Sequence, residues 1–168
     1  MSEDIEVLVS GRTEGPVQAE ILVLRLLAGR IELVGPCGPD PWYVEVPDDE
    51  DPVGVVDRMC RTNLGEPLLV HSTSWRRSRD GVFLTFVVVM PDNFLPIIAG
   101  VPVRRAEMAR SDPTAAPRKI DPGQVIEHGL RHLQWLVGDD PAVRRTLSAE
   151  WKSILRTYQS EPFRHLRS

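Results

Sequence analysis

Two-residue periodicity opens the chain. Ile5, Val7 and Val9 alternate with Glu6 and Leu8, which predicts a short strand ended by Gly11. From Val17 to Leu27 both sides are apolar, with Ala19, Ile21 and Val23 on one and Leu22, Leu24 and Leu26 on the other. That strand is expected inside a sheet covered on both faces. Only Gln18 and Glu20, at the far end of one face, read as wet. Ala28-Gly29 suits a tight hairpin onto Ile31 to Val34, because glycine accepts the positive φ of such turns. Beyond the rigid loop GPCGPDP at 35–41, Trp42, Val44 and Val46 share one strand face, and Tyr43 and Glu45 take the other.

At Asp51 the period becomes helical. Val53, Val56, Cys60 and Leu64 are spaced three, four and four, Asp51 is placed to cap, Pro52 sits where its missing N–H costs nothing, and Gly65 is the stop. Leu68 to His71 predicts another short strand, followed by a polar turn through Arg76, Arg77, Arg79 and Asp80-Gly81. VFLTFVVVM, at 82–90, is apolar on both sides and reads as a central strand. Pro96 and Pro102 reduce the next piece to short edge segments, and 106–120 reads as loop. Two helices close the chain, with stripes Ile126, Leu130, Leu133, Val137 and Val143, Leu147, Trp151, Ile154, Tyr158. Asp140-Pro141 repeats the cap, a short connection predicts an antiparallel helical hairpin, and Phe163 and Leu166 are expected to pin the tail. The sum is an α/β (α+β) fold with a mixed sheet of six or seven strands, one early helix and two C-terminal helices.

Length and charge narrow the classes. The 168 residues make one domain, 1–168, able to bury roughly two-thirds of its extended surface without a metal or disulfide. Cys37 and Cys60 form neither a framework nor a Cys-x-x-Cys pair, the start MSEDIEVLVS is acidic, and no apolar run approaches a membrane span. A cytoplasmic protein with no membrane partner is expected. Net charge −4 gives no reason to expect a specific nucleic acid, although residues 118–168 hold 9 basic and 6 acidic side chains against 11 and 18 before them.

The strand, acidic turn and helix from 42 to 65 lack the Gly-x-Gly-x-x-Gly and Gly-x-x-x-x-Gly-Lys patterns. With the strand-turn-strand LLVHSTSWRRSRDGVFLTFVVVM behind them, the order of elements resembles a Nudix domain, an α/β/α sandwich, over about residues 17–138. On this resemblance 139–168 is a C-terminal helical extension. The Nudix signature is Gly, five residues, Glu, seven residues, Arg-Glu, an apolar residue, any residue, Glu-Glu, any residue, Gly and an apolar residue. With its last glycine on Gly65, Arg58 falls on the arginine and Glu50 on the first glutamate. Met59, Thr62 and Asn63 replace the other three glutamates, Val44 the opening glycine and Glu66 the final apolar residue. Magnesium on a diphosphate needs hard anionic oxygens, whereas Thr62 and Asn63 supply neutral ones and Met59 a soft thioether. The resemblance therefore implies a largely lost Nudix box, with Glu50, Asp57 and Arg58 as the remaining catalytic candidates.

Asp48, Asp49 and Glu50 are weak metal candidates, since crowded carboxylates favour a cation but an acidic turn also favours a helix start. His71, Ser74, Arg76 and Arg77 are the ligand-binding candidates, hydroxyl and guanidinium groups suiting a nucleotide-like or phosphate-bearing small molecule. His128 and His132 are four apart, but Gly129 follows His128 and no general-base glutamate stands between them, so with Trp135 they read as an aromatic-histidine surface. Cys60 reads as a buried small hydrophobe and Cys37 as an exposed thiol with no activating neighbour.

The expectation is a Nudix-like protein without magnesium-dependent pyrophosphohydrolase activity, acting as a ligand-binding or interaction module and needing no cofactor. One alternative is a divergent hydrolase of nucleoside diphosphate derivatives that uses the acidic cluster at 48–51 with Mg or Mn. A second is a structural protein that forms a homodimer through its C-terminal hairpin.

Overall fold

The structure is a computed structural model that describes residues 15–38, 40–79, 81–106 and 121–159. The strand expected at Ile5 to Val9, nearly all of the expected loop at 106–120, and the tail with Phe163 and Leu166 lie outside the described residues. The fold is built on β1 (Val17–Leu27), apolar on both sides and buried from Ala19 to Leu26. One flank pairs antiparallel with β2 (Arg30–Val34) through Val23↔Val34 to Leu27↔Arg30, and with β3 (Trp42–Val46) through Val17↔Val46 to Ile21↔Trp42. β2 and β3 are thus one hairpin partner, interrupted by the loop at 35–41. The tight turn is the expected one, with φ of 48° at Ala28 and 72° at Gly29.

The other flank of β1 pairs in parallel with β5 (Gly81–Val89), from Val17↔Val82 to Leu24↔Val89. Parallel strands require a crossover. Here it includes α1 (Pro52–Asn63) and then β4 (Leu69–Ser78), which turns back antiparallel onto β5. The order is β4-β5-β1-β2-β6, with β3 also on β1 and β6 (Val101–Pro102) a short edge piece on β2. β4 is longer than expected. Arg76 and Arg77 lie within it, because their backbone groups find partners in Phe83 and Val82, and the turn contracts to the residues before Gly81.

Alternation on β1 separates two cores. Ala19, Ile21 and Val23 join Val46, Phe86, Val88 and Met90 under Val55, Val56 and Cys60 of α1. The α1 stripe is rotated from the expected one, since Val53 is 42% exposed and Val55 takes its place inside. Asp51 caps the helix as expected, accepting from Gly54 N at 2.9 Å. On the opposite face Leu22, Leu24, Leu26, Val87 and Val89 pack with Leu130 and Leu133 of α2 (Pro122–Asp139), and Val143, Leu147, Trp151, Leu155 and Tyr158 join the same core. The result is a mixed α/β fold, helical layers on both faces of a central sheet. Two C-terminal helices were expected; the described residues form three. Leu147 leaves helical geometry with ψ 139°, and Ser148 starts a new cap by accepting from Trp151 N, which divides α3 (Pro141–Thr146) from α4 (Ala149–Leu155). The apolar stripe runs through the break at intervals of four, which is why the pattern reads as one helix.

α2 crosses the sheet closely at Gly129, where a Cβ would stand 2.7 Å from Val87 Cγ2, whereas a Cβ at Gly138 would meet nothing within 4 Å. The two glycines should therefore respond oppositely to alanine. Gly129→Ala is expected to lower stability by about 1 kcal/mol, overpacking outweighing the gain in helix propensity. Gly138→Ala should raise it by about 0.5 kcal/mol. Urea unfolding of both variants checks the signs.

Candidate functional site

The acidic turn and α1 carry the residues aligned with the Nudix signature. Asp48 and Asp49 are exposed. Glu50 accepts from Arg58 Nη2 at 2.6 Å, and Asp57 accepts from Arg61 Nε at 2.7 Å, with Arg61 also reaching Glu66 at 2.8 Å. Asp57 and Arg58 are consecutive on a helix and so project about 100° apart. Glu50 is thus held by Arg58 and Asp57 by Arg61. Thr62 Oγ1 donates to Arg58 O at 2.9 Å and Asn63 Nδ2 to Met59 O at 2.8 Å, both turned back onto the helix. Among the described residues no three His, Cys, Asp or Glu side chains come together as a metal site. Magnesium asks for several convergent hard oxygens, and the side chains at 59, 62 and 63 contribute no carboxylate toward them. Cys60 is buried, its thiol pushed up to about 12 by burial and then by Asp57, so it is no nucleophile.

β4 sorts the ligand candidates between the two faces of the sheet. Arg77 is exposed and pairs with Val82, while Arg76 pairs with Phe83 on the α2 face. Ser74 pairs with Thr85 beside a bulge between Ser72 and Ser74 and is half-buried. Arg76 does not wait for a ligand. Its Nη1 and Nη2 bind the Glu20 carboxylate at 2.5 and 2.8 Å, and its guanidinium lies 5.0 Å over the Phe83 ring. Tyr43 Oη and Thr85 Oγ1 also donate to Glu20, at 2.9 and 3.0 Å. The expected wet position at Glu20 is therefore wrong. Only 3% of it is exposed, and the cation that makes burial tolerable arrives from 56 residues away. Burial pushes the Glu20 carboxyl up, but Arg76 foremost, with Tyr43 and Thr85, holds it below the ordinary range. Burial and the adjoining Glu20 raise Tyr43 in turn.

A second buried carboxylate, Glu127, binds Arg105 through two nitrogens at 2.9 and 3.0 Å and Arg131 at 3.0 Å, and fastens Ala106 N. Arg105 also stacks 4.2 Å from the Tyr158 ring centroid. Burial raises the Glu127 carboxyl, and its two arginines and Ala106 N–H outweigh that and lower it. Sequence reasoning misplaced Glu20 in solvent and passed over Glu127. The usable signal was a lone carboxylate in an otherwise apolar strand or stripe, which demands a cationic partner.

His71 meets α2. Its Nε2 lies 3.0 Å from His132 Nδ1, and the His132 ring stacks near Trp135, centroids 5.4 Å apart, and above His128 at 6.3 Å. Trp135 is 48% exposed beside a cleft of about 390 Å³ lined also by Gln134, Gly138, Asp139 and Gln159. The two histidines expected four apart thus share their face with a third from β4. No protein-family model matches the chain, and no curated protein matches it. Among the described residues, no helix is long and apolar enough to cross a membrane.

The Glu20 network supplies a stability test. Arg76→Leu should cost about 3 kcal/mol, the lower end for a broken buried pair because the arginine side chain is 30% exposed. Adding Glu20→Leu should recover most of that loss. Glu20 titrates lower in the folded chain than its ordinary 4.5, so the stability it contributes is complete above 4.5 and lost as pH falls through the lower folded value. The double variant should accordingly be less acid-sensitive in that range, measured by urea unfolding against pH.

Proposed function

We propose that the chain is a Nudix-like α/β/α domain without magnesium-dependent pyrophosphohydrolase activity, serving as a ligand-binding or interaction module. The observation that carries this reading is the disposition of the α1 carboxylates. Glu50 and Asp57 are occupied by Arg58 and Arg61, and the residues in place of the glutamate pair, Thr62 and Asn63, are spent on helix carbonyls. The order of hairpin, helix and long central strand supports the family likeness, and the neutral and soft side chains at 59, 62 and 63 support the loss of metal chemistry.

A phosphate-bearing ligand would find an exposed guanidinium at Arg77, which has no ion-pair partner among the described residues, because Arg76 is committed to Glu20. The hydrolase alternative requires two or more carboxylates of the acidic turn and α1, among Asp48, Asp49, Glu50 and Asp57, to converge on one ion, which for Glu50 and Asp57 means leaving Arg58 and Arg61. The homodimer alternative draws on one feature, the half-exposed Trp135 indole on α2.

Incubation with a panel of nucleoside diphosphate derivatives, in magnesium and then in manganese, should release no nucleotide or phosphate, and Glu50→Gln should behave identically. Metal-dependent release abolished in Glu50→Gln overturns the reading. Calorimetric titration of the same panel is expected to show binding without turnover for at least one compound, weakened by Arg77→Ala.

A further inference from the structure

The contact between β4 and α2 turns on two imidazoles. Gly129 lets α2 approach Val87 and Thr73, and three residues on, His132 comes down onto His71. Their nitrogens, His71 Nε2 and His132 Nδ1, are 3.0 Å apart, and the rings are inclined by 24° with centroids 4.9 Å apart. Such a contact needs one N–H between two nitrogens, one ring donating and the other accepting. A first added proton goes on the outer nitrogen of the donating ring and leaves the bond intact. A second must occupy the accepting nitrogen, which sets two N–H groups and two positive charges against each other.

Among the described residues, no unpaired carboxylate faces them to neutralise the charge. On the same face of β4 the next charged group is Arg76, already bound to Glu20. β5 presents Val87 opposite His71. α2 presents His128 and Trp135, and its Glu127 is held by Arg105 and Arg131. We propose that His71 and His132 form a proton-operated latch, closed at neutral pH by one shared hydrogen bond and opened by a second proton that parts β4 from α2. The inference does not depend on the Nudix-like reading.

The direction of titration agrees with this geometry. Burial, then the neighbouring His132, lowers His71, and burial, then His128, lowers His132. Both rings therefore hold protons less well in the folded chain than in the unfolded one. Stability is complete above the unfolded histidine value of 6.5 and declines as pH falls from there toward the lower folded values. Carboxylates titrate below this window, so a loss between about pH 7 and pH 5 belongs to histidine. Because β4 is, among the described residues, an edge strand with β5 as its strand partner, opening should be felt there before it reaches β1.

The test compares the full chain with the His71→Gln/His132→Asn double variant, whose amides can span the same gap without titrating, and with His128→Gln. Urea midpoints are measured between about pH 7 and pH 5, together with amide hydrogen exchange corrected for the intrinsic effect of pH. The wild type and His128→Gln should lose midpoint on acidification, and β4 amides should lose protection ahead of those of β1. The double variant should lose this dependence. Should it fail to fold, the wild-type imidazole resonances of His71 and His132 decide, and they should titrate together with the loss of β4 protection. A double variant with the wild-type pH dependence, or imidazoles that titrate while β4 stays protected, overturns the latch.

Discussion

Burial of β1 on both faces is the constraint on which the rest depends. A strand with Ala19, Ile21 and Val23 on one side and Leu22, Leu24 and Leu26 on the other cannot lie on a surface, and each face needs its own cover. Its two hydrogen-bonding flanks must also be filled. The interrupted hairpin of β2 and β3 fills one and β5 fills the other. Since β5 runs parallel to β1, the intervening chain must pass over the sheet, and that requirement puts α1 over the core that holds Phe86 and Val88. α2, α3 and α4 then close the opposite face.

Charge is handled differently inside and outside this frame. Glu20 and Glu127 are buried only because planar guanidinium groups meet them through two nitrogens and further donors complete their shells. Arg25 and Glu32, paired across β1 and β2 at 2.7 Å, follow the same rule and draw Phe94 O against the sheet. The pairs on α1 are instead exposed and individually weak. Their consequence is chemical. They engage Glu50 and Asp57, two of the carboxylates that metal chemistry on this helix would draw on.

The local elements were legible because each obeys a short-range rule. β1 has the bounds that its apolar run implied, and Asp51 and Asp140 cap as their positions immediately before a proline indicated. The departures also have causes. β4 outlasts its apolar residues because Phe83 and Val82 pair with Arg76 and Arg77, and the last helix breaks because Ser148 offers a cap inside a continuous stripe. At the candidate site, His71 and Arg76 were visible as polar residues at a strand exit, but their partners His132 and Glu20 stand 61 and 56 residues away. No spacing rule reaches that far.

The sequence by itself therefore determined the class of the fold: the two-faced central strand, the capped early helix, the apolar stripes at the C-terminal end, and the absence of an intact Nudix glutamate set. These follow from periodicities of two and about 3.6 residues and from side-chain chemistry, which neighbours along the chain are enough to express. Only the tertiary structure decided that Arg76 answers Glu20, that Glu127 gathers Arg105 and Arg131, and that His71 meets His132 where Gly129 lets helix and sheet close. Such pairings depend on where crossovers bring separate segments, and a buried charge or imidazole acquires its meaning from the group that folding places against it.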